Sequence, residues 1–249
     1  MRVWITGGSS EIGKAIAKSR ISKGDQVVIT ASSAESLAET LAEYKKENLK
    51  VTGVIFSLEN PSGSDLSKEL ANGIDALVLN AATRNIKLRK LDEWKEEELQ
   101  KYLKMNIEGN LWLIRQVLEK MKQNKFGRMV FISSLSVAQG TSRFPLYCLT
   151  KAAIEGLFLN LAVDYGEDNI FCNIVRPGII ATERTKKYWK RSHYLEKAQK
   201  IIPSMTLGKA EQVAEAVDPL LSPTGYINGA ILPVSGGLPM MRSAGLLDL

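Results

Sequence analysis

The stretch VWITGGSSEIGKAI, residues 3–16, passes from a short apolar run into a glycine-rich turn and then into a helical pattern. The apolar run is typical of a buried strand. In the turn, Gly7 permits a tight change of direction, and Gly13 lets the following helix pack closely on the strand. Main-chain N–H groups at the start of such a helix bind phosphate oxygens. The stretch therefore predicts a strand, a turn and a helix that hold the pyrophosphate of a dinucleotide.

An acidic residue, Glu11, stands in this turn where a middle glycine would be expected. Two unit charges about 6 Å apart at an effective dielectric of about 20 interact by roughly 3 kcal/mol, so a carboxylate facing the pyrophosphate would weaken binding. An acid in the first turn is favoured by the positive helix N-terminus, and Lys14 lies one turn further on. We therefore expect Glu11 to face solvent, with only its main chain near the cofactor.

Short apolar runs alternate with longer helical patterns along the chain. Strands that are apolar on both faces, each followed by a helix, predict a parallel sheet covered on both sides. Right-handed crossovers make such a sheet doubly wound. The expected fold is α/β, a single domain over residues 1–249 with a Rossmann-type parallel sheet of about seven strands and helices on both faces. The predicted strands are 2–6, 26–30, 51–56, 76–80, 128–133, 171–175 and 230–234, and the predicted helices lie near 12–23, 34–47, 64–71, 92–104, 106–122, 147–165 and 209–220.

The segment 183–206 interrupts this alternation, because it is polar, basic and aromatic. It is long enough for a helical flap over the carboxyl ends of the strands, where such sheets bind ligands. Its composition offers few core contacts, so we expect the flap to be mobile without ligand and more ordered with it.

The composition narrows the functional classes. Hydrophobic residues make up 45% and charged residues 24% of the chain, as in globular proteins. The net charge of +6 is mild and dispersed, which does not favour nucleic-acid binding. Two cysteines in predicted core elements indicate a reducing compartment, which we take to be the cytoplasm, and no disulfide framework. A single histidine and no Cys/His cluster do not favour a structural zinc site. We expect no membrane segment either, since no run of eighteen apolar residues is present.

Three residues form a candidate reaction site. Tyr147 and Lys151 stand four residues apart, so on a helix they point the same way. A phenol loses its proton near pH ~10 in water, and a neighbouring ammonium makes the phenolate easier to form. Ser134 ends a predicted strand on the ligand-binding side of the sheet, where its hydroxyl would polarise a carbonyl.

These features together resemble the short-chain dehydrogenase/reductase family from residue 2 to about residue 237. The resemblance rests on the turn at 6–13, Ser134 thirteen residues before Tyr147, Lys151, and the closing stretch TGYINGAILPVSGG at 224–237. The other matching residues are Asn80, Ala81, Ala82, Asn106, Pro177, Gly178 and Thr182.

The resemblance implies an NAD(P)-dependent oxidoreductase that moves a hydride between the nicotinamide and a carbonyl or alcohol carbon. It makes Tyr147 the general acid in reduction and the general base in oxidation. Lys151 would favour the phenolate and hold the nicotinamide ribose, Ser134 would bind the substrate oxygen, and Asn106 would support a proton relay to Lys151 through water.

The resemblance also implies a set of cofactor contacts along the ends of the strands. Departures from the family pattern at Glu11, Ala82, Ser57 and Ser235 affect the expected cofactor affinity more than the chemistry. The expected contacts are Gly7, Ser9, Ser10, Ile12, Gly13, Ser32, Ser57, Asn80, Ala81, Ala82, Tyr147, Lys151, Pro177, Gly178, Ile180 and Thr182.

The second strand indicates which dinucleotide is preferred. An acid at the end of this strand selects NAD, because it binds the ribose 2′-hydroxyl and repels a 2′-phosphate. Ala31 and Ser32 occupy the discriminating positions here, and the hydroxyls of Ser32 and Ser33 are able to bond a phosphate. We expect NADP to be preferred, with NAD also accepted.

The substrate is less defined by the sequence. One alternative is a small alcohol, ketone or sugar, and another is a 3-oxoacyl thioester. Arg128 would suit an acidic carrier protein. In the family, reductases that act on carrier proteins usually have a second arginine just before the sixth strand, but this chain has Glu167-Asp168-Asn169 there, and these acids would repel such a partner. A third alternative is a cofactor-binding sensor without turnover. The resemblance implies a homotetramer built on the helices at 106–122 and 147–165. The residues expected to face substrate are Arg84, Leu135, Gln139, Arg143, Phe144, Ile179, Tyr188 and Trp189.

Overall fold

The computed structural model describes residues 1–64, 66–83, 87–183, 185–186 and 192–240. Seven strands form one sheet in the order β3-β2-β1-β4-β5-β6-β7, and every neighbouring pair is parallel. This confirms the predicted doubly wound α/β fold. The strands are β1 (Arg2–Ile5), β2 (Gln26–Ala31), β3 (Thr52–Ile55), β4 (Ala76–Leu79), β5 (Gly127–Ile132), β6 (Ile170–Pro177) and β7 (Ile231–Val234).

Helices cover both faces of the sheet. The described helices are α1 (Glu11–Ser22), α2 (Ala34–Lys46), α3 (Ser67–Ala71), α4 (Glu96–Leu103), α5 (Gly109–Asn124), α6 (Ser136–Gln139), α7 (Pro145–Asp164), α8 (Ser192–Ile201) and α9 (Ala210–Val217). Successive side chains of a strand point to opposite faces, so β1 places Trp4 in one buried cluster and Val3 and Ile5 in the other. Helices α5 and α7 close the Trp4 side, whereas α1 and α9 close the other side.

The helical segment around Asn106 differs from its prediction as two separate helices. A π-helical turn, Lys104–Glu108, joins α4 to α5 without a break. Asn106 is buried in this turn, and its side-chain amide donates to the main-chain oxygen of Tyr102 at 2.9 Å. Such π turns change the register of the helix ladder, and this one aims a polar side chain into the interior.

Part of the expected flap packs on a small core of its own. Ala198 and Ile202, in and just after α8, are buried with Leu135 and Leu238. The expectation of few core contacts is therefore wrong for α8. The overall polar composition of the segment did not indicate that its few apolar residues fall on one buried face. Arg84, Tyr188 and Trp189 lie outside the described residues, as do residues 241–249.

Helix α7 is long and apolar enough to be tested as a membrane span. A window of 18 residues within this 20-residue helix has a mean hydropathy of 1.4, which meets the length and composition of a span, as core helices of soluble proteins also do. Its inner face contacts the sheet through the buried Ile154 and Phe158. Lys151 and Glu155 are buried on the same helix.

Candidate active site

The candidate site lies where the strand order changes direction. Strands β2 and β3 continue the sheet on one side of β1, whereas β4 to β7 continue it on the other. Such a switch point opens a crevice at the carboxyl ends of the strands. Thr6 follows β1 and Asn80 follows β4, so these two residues border the crevice.

The glycine turn is shaped for close packing. Gly7 adopts a φ of +65°, a conformation that favours glycine. A Cβ atom on Gly13 would come within 2.4 Å of the Gly7 carbonyl oxygen, so the helix start fits against the turn only with glycine there. Ser10 caps α1, because its Oγ accepts a hydrogen bond from the Gly13 N–H at 3.1 Å. Helix geometry leaves the N–H groups of Glu11 and Ile12 without an intrahelical acceptor.

A hydrogen-bond network ties this turn to the stretch after β4. The Oγ1 of Thr6 accepts from the N–H groups of Asn80 at 3.0 Å and Ala81 at 2.9 Å. The Asn80 amide donates to the Gly7 oxygen and to Ser10 Oγ, both at 3.0 Å. Asn80 and Ala81 therefore fix the floor of the crevice, and Ala82 continues from them at intermediate exposure.

Glu11 is at intermediate exposure, and its carboxylate does not pair with Lys14 as expected. Its carboxylate accepts a hydrogen bond from the main-chain N–H of Glu183, in the segment after β6. Lys14, the expected partner, forms its ion pair with Glu43 of α2. The predicted pairing with Lys14 was wrong, because the rule for residues one helical turn apart considers neither Glu43 on another helix nor the N–H of Glu183 from a distant part of the chain.

Tyr147 and Lys151 lie on α7 beside the end of β5. The Nζ of Lys151 donates to the Ile132 oxygen at 2.7 Å and lies 4.6 Å from the centroid of the Phe131 ring. It is 6.0 Å from the Tyr147 ring centroid, so the ammonium and the phenol are neighbours. Phe144 packs edge-on against Tyr147 at 5.5 Å, which orients the phenol ring.

Ser134 follows β5 and is half-buried. Its Oγ accepts from the Ser136 N–H at 3.2 Å, which leaves its hydroxyl proton to be donated elsewhere. The next residue, Leu135, donates its N–H to the Pro177 oxygen at 2.9 Å and so fixes the end of β5 to the end of β6. The Leu135 side chain is buried against Ala198 of α8, with Ile202 and Leu238 in the same cluster.

Asn106 reaches this region through its side chain. Its Oδ1 accepts from the Thr83 N–H at 3.3 Å, which connects the π turn to the stretch after β4. Its main-chain oxygen accepts from the Asn110 amide at 2.7 Å. Asn106 is therefore both the core amide of a helix distortion and a neighbour of the crevice.

The segment after β6 forms a compact turn. Gly178 donates to Val234 on β7 at 2.9 Å, and Ile180 bridges to Gly208. The Thr182 N–H donates to Thr185 Oγ1 at 2.9 Å, so Thr185 holds Thr182 in place.

The remaining predicted cofactor residues lie on the far side of the crevice. Ser32 follows β2 and is exposed. Ser57 comes shortly after β3, where its N–H donates to Ser64 Oγ at 3.3 Å. In the sheet, β1 and β4 lie between β2 and β5. Ser32 and Ser57, which follow β2 and β3, are therefore separated from Ser134 and Tyr147 beside β5 and lie at the opposite end of an elongated site.

The residues present fit a dinucleotide. The glycine turn leaves room for close approach, and the first-turn N–H groups of α1 offer donors for an anion. The Glu11 carboxylate opposes that fit, because it brings a negative charge to the same helix start. Among the described residues, no group of three or more His, Cys, Asp or Glu side chains is arranged to hold a metal ion.

Several supporting residues were not anticipated from the sequence. The phenol of Tyr44 on α2 donates to the Gly8 oxygen at 3.3 Å and braces the glycine turn. The Ile132 oxygen and the Phe131 ring receive the ammonium of Lys151, and Thr185 anchors Thr182. None of these has a local sequence signal, because each depends on the folded arrangement of the chain.

Comparisons with known proteins agree with this geometry. The family profile for short chain dehydrogenases matches residues 1–193. The 3-oxoacyl-[acyl-carrier-protein] reductase FabG of Rickettsia felis is 33% identical over 238 residues, which cover 95% of this chain and 96% of that protein. An oxidoreductase of the same family from Burkholderia thailandensis superposes with a TM-score of 0.87 at 26% identity, covering 98% of this chain and 95% of that one. A 3-oxoacyl (acyl-carrier-protein) reductase from Agrobacterium tumefaciens with NADP bound gives 0.86 at 25% identity, covering 95% and 93%.

The doubly wound sheet, the glycine turn and the Ser134, Tyr147 and Lys151 set, together with these matches, define the class as nicotinamide-dependent oxidoreductases. The chain belongs to the short-chain dehydrogenase/reductase family. It is an NAD(P)-dependent oxidoreductase that acts on CH–OH and C=O groups.

Proposed function

We propose that this enzyme interconverts a small alcohol and its ketone, or a sugar and its oxidised form, with NADP(H) as the preferred cofactor. Tyr147, Lys151 and Ser134 are its catalytic residues. The observation that carries the proposal is the Lys151 ammonium, fixed to the Ile132 oxygen at 2.7 Å and lying beside the Tyr147 ring. This arrangement puts a proton donor and a cation at the end of β5, where Ser134 supplies a second hydroxyl.

In the reductive direction, Ser134 donates a hydrogen bond to the carbonyl oxygen of the substrate. When bound, the nicotinamide would supply the hydride for the carbonyl carbon and would accept one in the reverse reaction. Tyr147 gives its phenolic proton to the oxygen, on which negative charge develops. Lys151 stabilises the phenolate that remains, and the π turn at Asn106 supports the return of a proton through water.

The dinucleotide would be held by the strand ends that border the crevice. The N–H group of Ile12 would bind the pyrophosphate, Gly7 and Gly13 would leave room for it, and Asn80, Ala81 and Ala82 would form the floor. Ser9 and Ser10 lie in the turn, whereas Pro177, Gly178, Ile180 and Thr182 would cover the nicotinamide end.

Two hydroxyl groups at the end of β2 support a preference for NADP. Ser32 is exposed, and Ser33 caps α2 by accepting from the Ser36 N–H at 3.2 Å. The N-terminus of a helix favours an added phosphate, and neither Ala31 nor Ser32 carries a charge that would repel it. The Agrobacterium relative was solved with NADP bound, which is in line with this proposal.

Reduction of a 3-oxoacyl thioester is the second candidate, because of the similarity to the Rickettsia reductase. The arginine considered for contact with a carrier protein is not available for it. Arg128 is buried between the Phe126 and Phe171 rings, and it donates to the oxygens of Asn169 at 2.8 Å and Ser222 at 3.0 Å. Small substrates are therefore favoured over carrier-bound ones.

An apolar face on α7 supports assembly into a homotetramer. Leu149, Leu159 and Val163 are exposed along this helix, and Val163 is 81% exposed. Among the described residues, nothing lies within 4 Å of a Cβ built on Gly156, so a second helix would fit closely there. Sedimentation of the parent and of a Leu159→Glu variant tests this assembly.

A cytoplasmic location remains part of the proposal on the grounds of two free thiols.

The experiment that tests the function is a screen of alcohols, ketones, sugars and 3-oxoacyl thioesters with NADPH and NADH. We expect turnover of small carbonyl compounds with NADPH, and lower turnover when the acyl group is carried by a protein. Preference for the carrier-bound thioester would favour the second candidate. Cofactor binding without turnover of any compound would favour a sensor.

A further inference from the structure

The contact between Glu11 and Glu183 joins the two sides of the crevice. Glu11 is the first residue of α1, and Glu183 follows Thr182 in the turn after β6. The bond runs from a main-chain N–H to a carboxylate, between residues 172 positions apart. It starts at the residue next to Ile12, whose N–H the proposed function assigns to the pyrophosphate, so the role inferred for Glu11 rests on that proposed function.

The charges around this contact have other partners. Lys14 forms its ion pair with Glu43, and the Glu183 carboxylate forms its own with Lys186. The Glu11 carboxylate is therefore not neutralised by either lysine through these pairs. It is held by a main-chain donor, at the positive end of α1, where an anion is favoured.

The turn at residues 179–183 is anchored on its other side. Ala181 donates to the Gly208 oxygen at 2.8 Å, and Gly208 donates to the Ile179 oxygen at 3.0 Å. Glu11 adds a link from this turn to α1, on the opposite wall. Loss of that link would free the edge of the turn nearest the glycine turn while the Gly208 anchor remained.

We infer that Glu11 is a positioning residue, whose carboxylate holds the 179–183 turn against α1 until the dinucleotide displaces it. The Glu11 carboxylate lies at the start of α1 and accepts from the Glu183 N–H, and a pyrophosphate would bind the main-chain N–H groups of the same helix start. Because like charges repel, the two do not share this wall at low cost. A bound pyrophosphate would carry more charge than the carboxylate, so we expect the Glu11 side chain to move away from the start of α1 when the dinucleotide binds.

Three variants separate the tether from the charge. Glu11→Ala removes both, whereas Glu11→Gln keeps an acceptor oxygen but no charge. Glu211→Ala is the matched control, since Glu211 is an exposed acid in the first turn of α9. Hydrogen exchange of the cofactor-free protein is measured over residues 179–183, and the affinity for NADPH is measured by fluorescence titration.

We expect exchange in the turn to rise about tenfold in Glu11→Ala, less in Glu11→Gln, and not in Glu211→Ala. The NADPH dissociation constant should fall about tenfold in Glu11→Ala and also fall in Glu11→Gln. Unchanged exchange in Glu11→Ala would overturn the tether. Faster exchange with unchanged or weaker NADPH binding would overturn the displacement. A parent protein that binds neither dinucleotide would refute the proposed function instead, since the exchange measurement needs no cofactor.

Discussion

Lys151 donates a hydrogen bond from Nζ to the main-chain oxygen of Ile132, the last residue of β5, at 2.7 Å. Lys151 is buried, and the Phe131 ring lies beside its ammonium with the ring centroid 4.6 Å away. Ile132 stands two residues before Ser134, so this contact holds the ammonium of Lys151 at the same strand end that Ser134 follows. Helix α7 is thereby held in the orientation that presents Tyr147.

Removal of this ammonium should affect two properties at once. In Lys151→Met the apolar stem still packs beside Phe131, but the cation and its bond to Ile132 are lost. We expect turnover to fall by at least roughly a hundredfold and NADPH to bind more weakly, because the proposed role includes the nicotinamide ribose. Steady-state kinetics and NADPH titration measure both. A variant that folds like the parent and loses only one property would assign Lys151 a narrower role.

The cofactor preference has a test at the end of β2. Ser32 is exposed whereas the Ala31 side chain is buried, so an acid at position 31 would disturb packing as well. Ser32→Asp should weaken NADPH relative to NADH by about tenfold, or ~1.4 kcal/mol, because the carboxylate repels a 2′-phosphate. Ser32→Asn is the control of the same size without charge. If the parent enzyme binds NADH tenfold more tightly than NADPH, the proposed preference is wrong.

The strands and the main helices were predictable because their signals are local. Trp4 and its neighbours form an apolar run that is typical of a strand buried on both faces, and the helical periods follow. Contacts between distant elements were not predictable. Lys14 stands one helical turn from Glu11, yet it forms its ion pair with Glu43 on a different helix. Arginine is usually a surface residue, but two aromatic rings and main-chain oxygens hold Arg128 in the interior.

An ion-pair network at the opposite end of α1 should make stability depend on pH. Asp218 accepts from Ser19 at 2.6 Å and pairs with Arg20 at 3.2 Å and Lys23 at 2.7 Å. Burial opposes its ionisation, but the hydrogen bonds from Lys23, Ser19 and Arg20 outweigh burial and lower the pKa of Asp218. A lowered folded-state pKa stabilises the protein above the ordinary aspartate value of about 3.9, and this contribution is lost as the pH falls through the folded pKa.

Asp218→Asn removes the titrating group and should reduce the free energy of unfolding by about 2 kcal/mol at pH 7. The difference between parent and variant should shrink as the pH falls below about 4. Urea denaturation at several pH values measures it, with the exposed Asp92→Asn as control. A difference that stays constant across this range would show that the ionised carboxylate is not the source.

The phenol of Tyr147 is the group on which turnover should depend most. A carbonyl that accepts a hydride builds negative charge on its oxygen, and the oxygen needs both a hydrogen-bond donor and a proton. Tyr147→Phe removes one oxygen and keeps the ring that packs on Phe144 at 5.5 Å, so the fold of α7 should be unchanged. The dissociation constant of NADPH should stay within a few-fold of the parent value. Turnover of a substrate found by screening should fall by at least roughly a hundredfold, the low end for a lost general acid.

Tyr165→Phe is the matched control for that variant, because it removes the same oxygen from a tyrosine at the far end of α7. Its ring packs under the Lys122 ammonium at 5.5 Å and should stay there. Turnover should remain near the parent value if the loss in Tyr147→Phe comes from the catalytic phenol. Ser134→Ala should lie between the two, since the hydroxyl of Ser134 orients the oxygen but does not protonate it. Near-parent turnover by Tyr147→Phe would contradict the assignment of Tyr147 as the general acid. The proton would then have to come from another donor, such as the Lys151 ammonium that is bonded to the Ile132 oxygen.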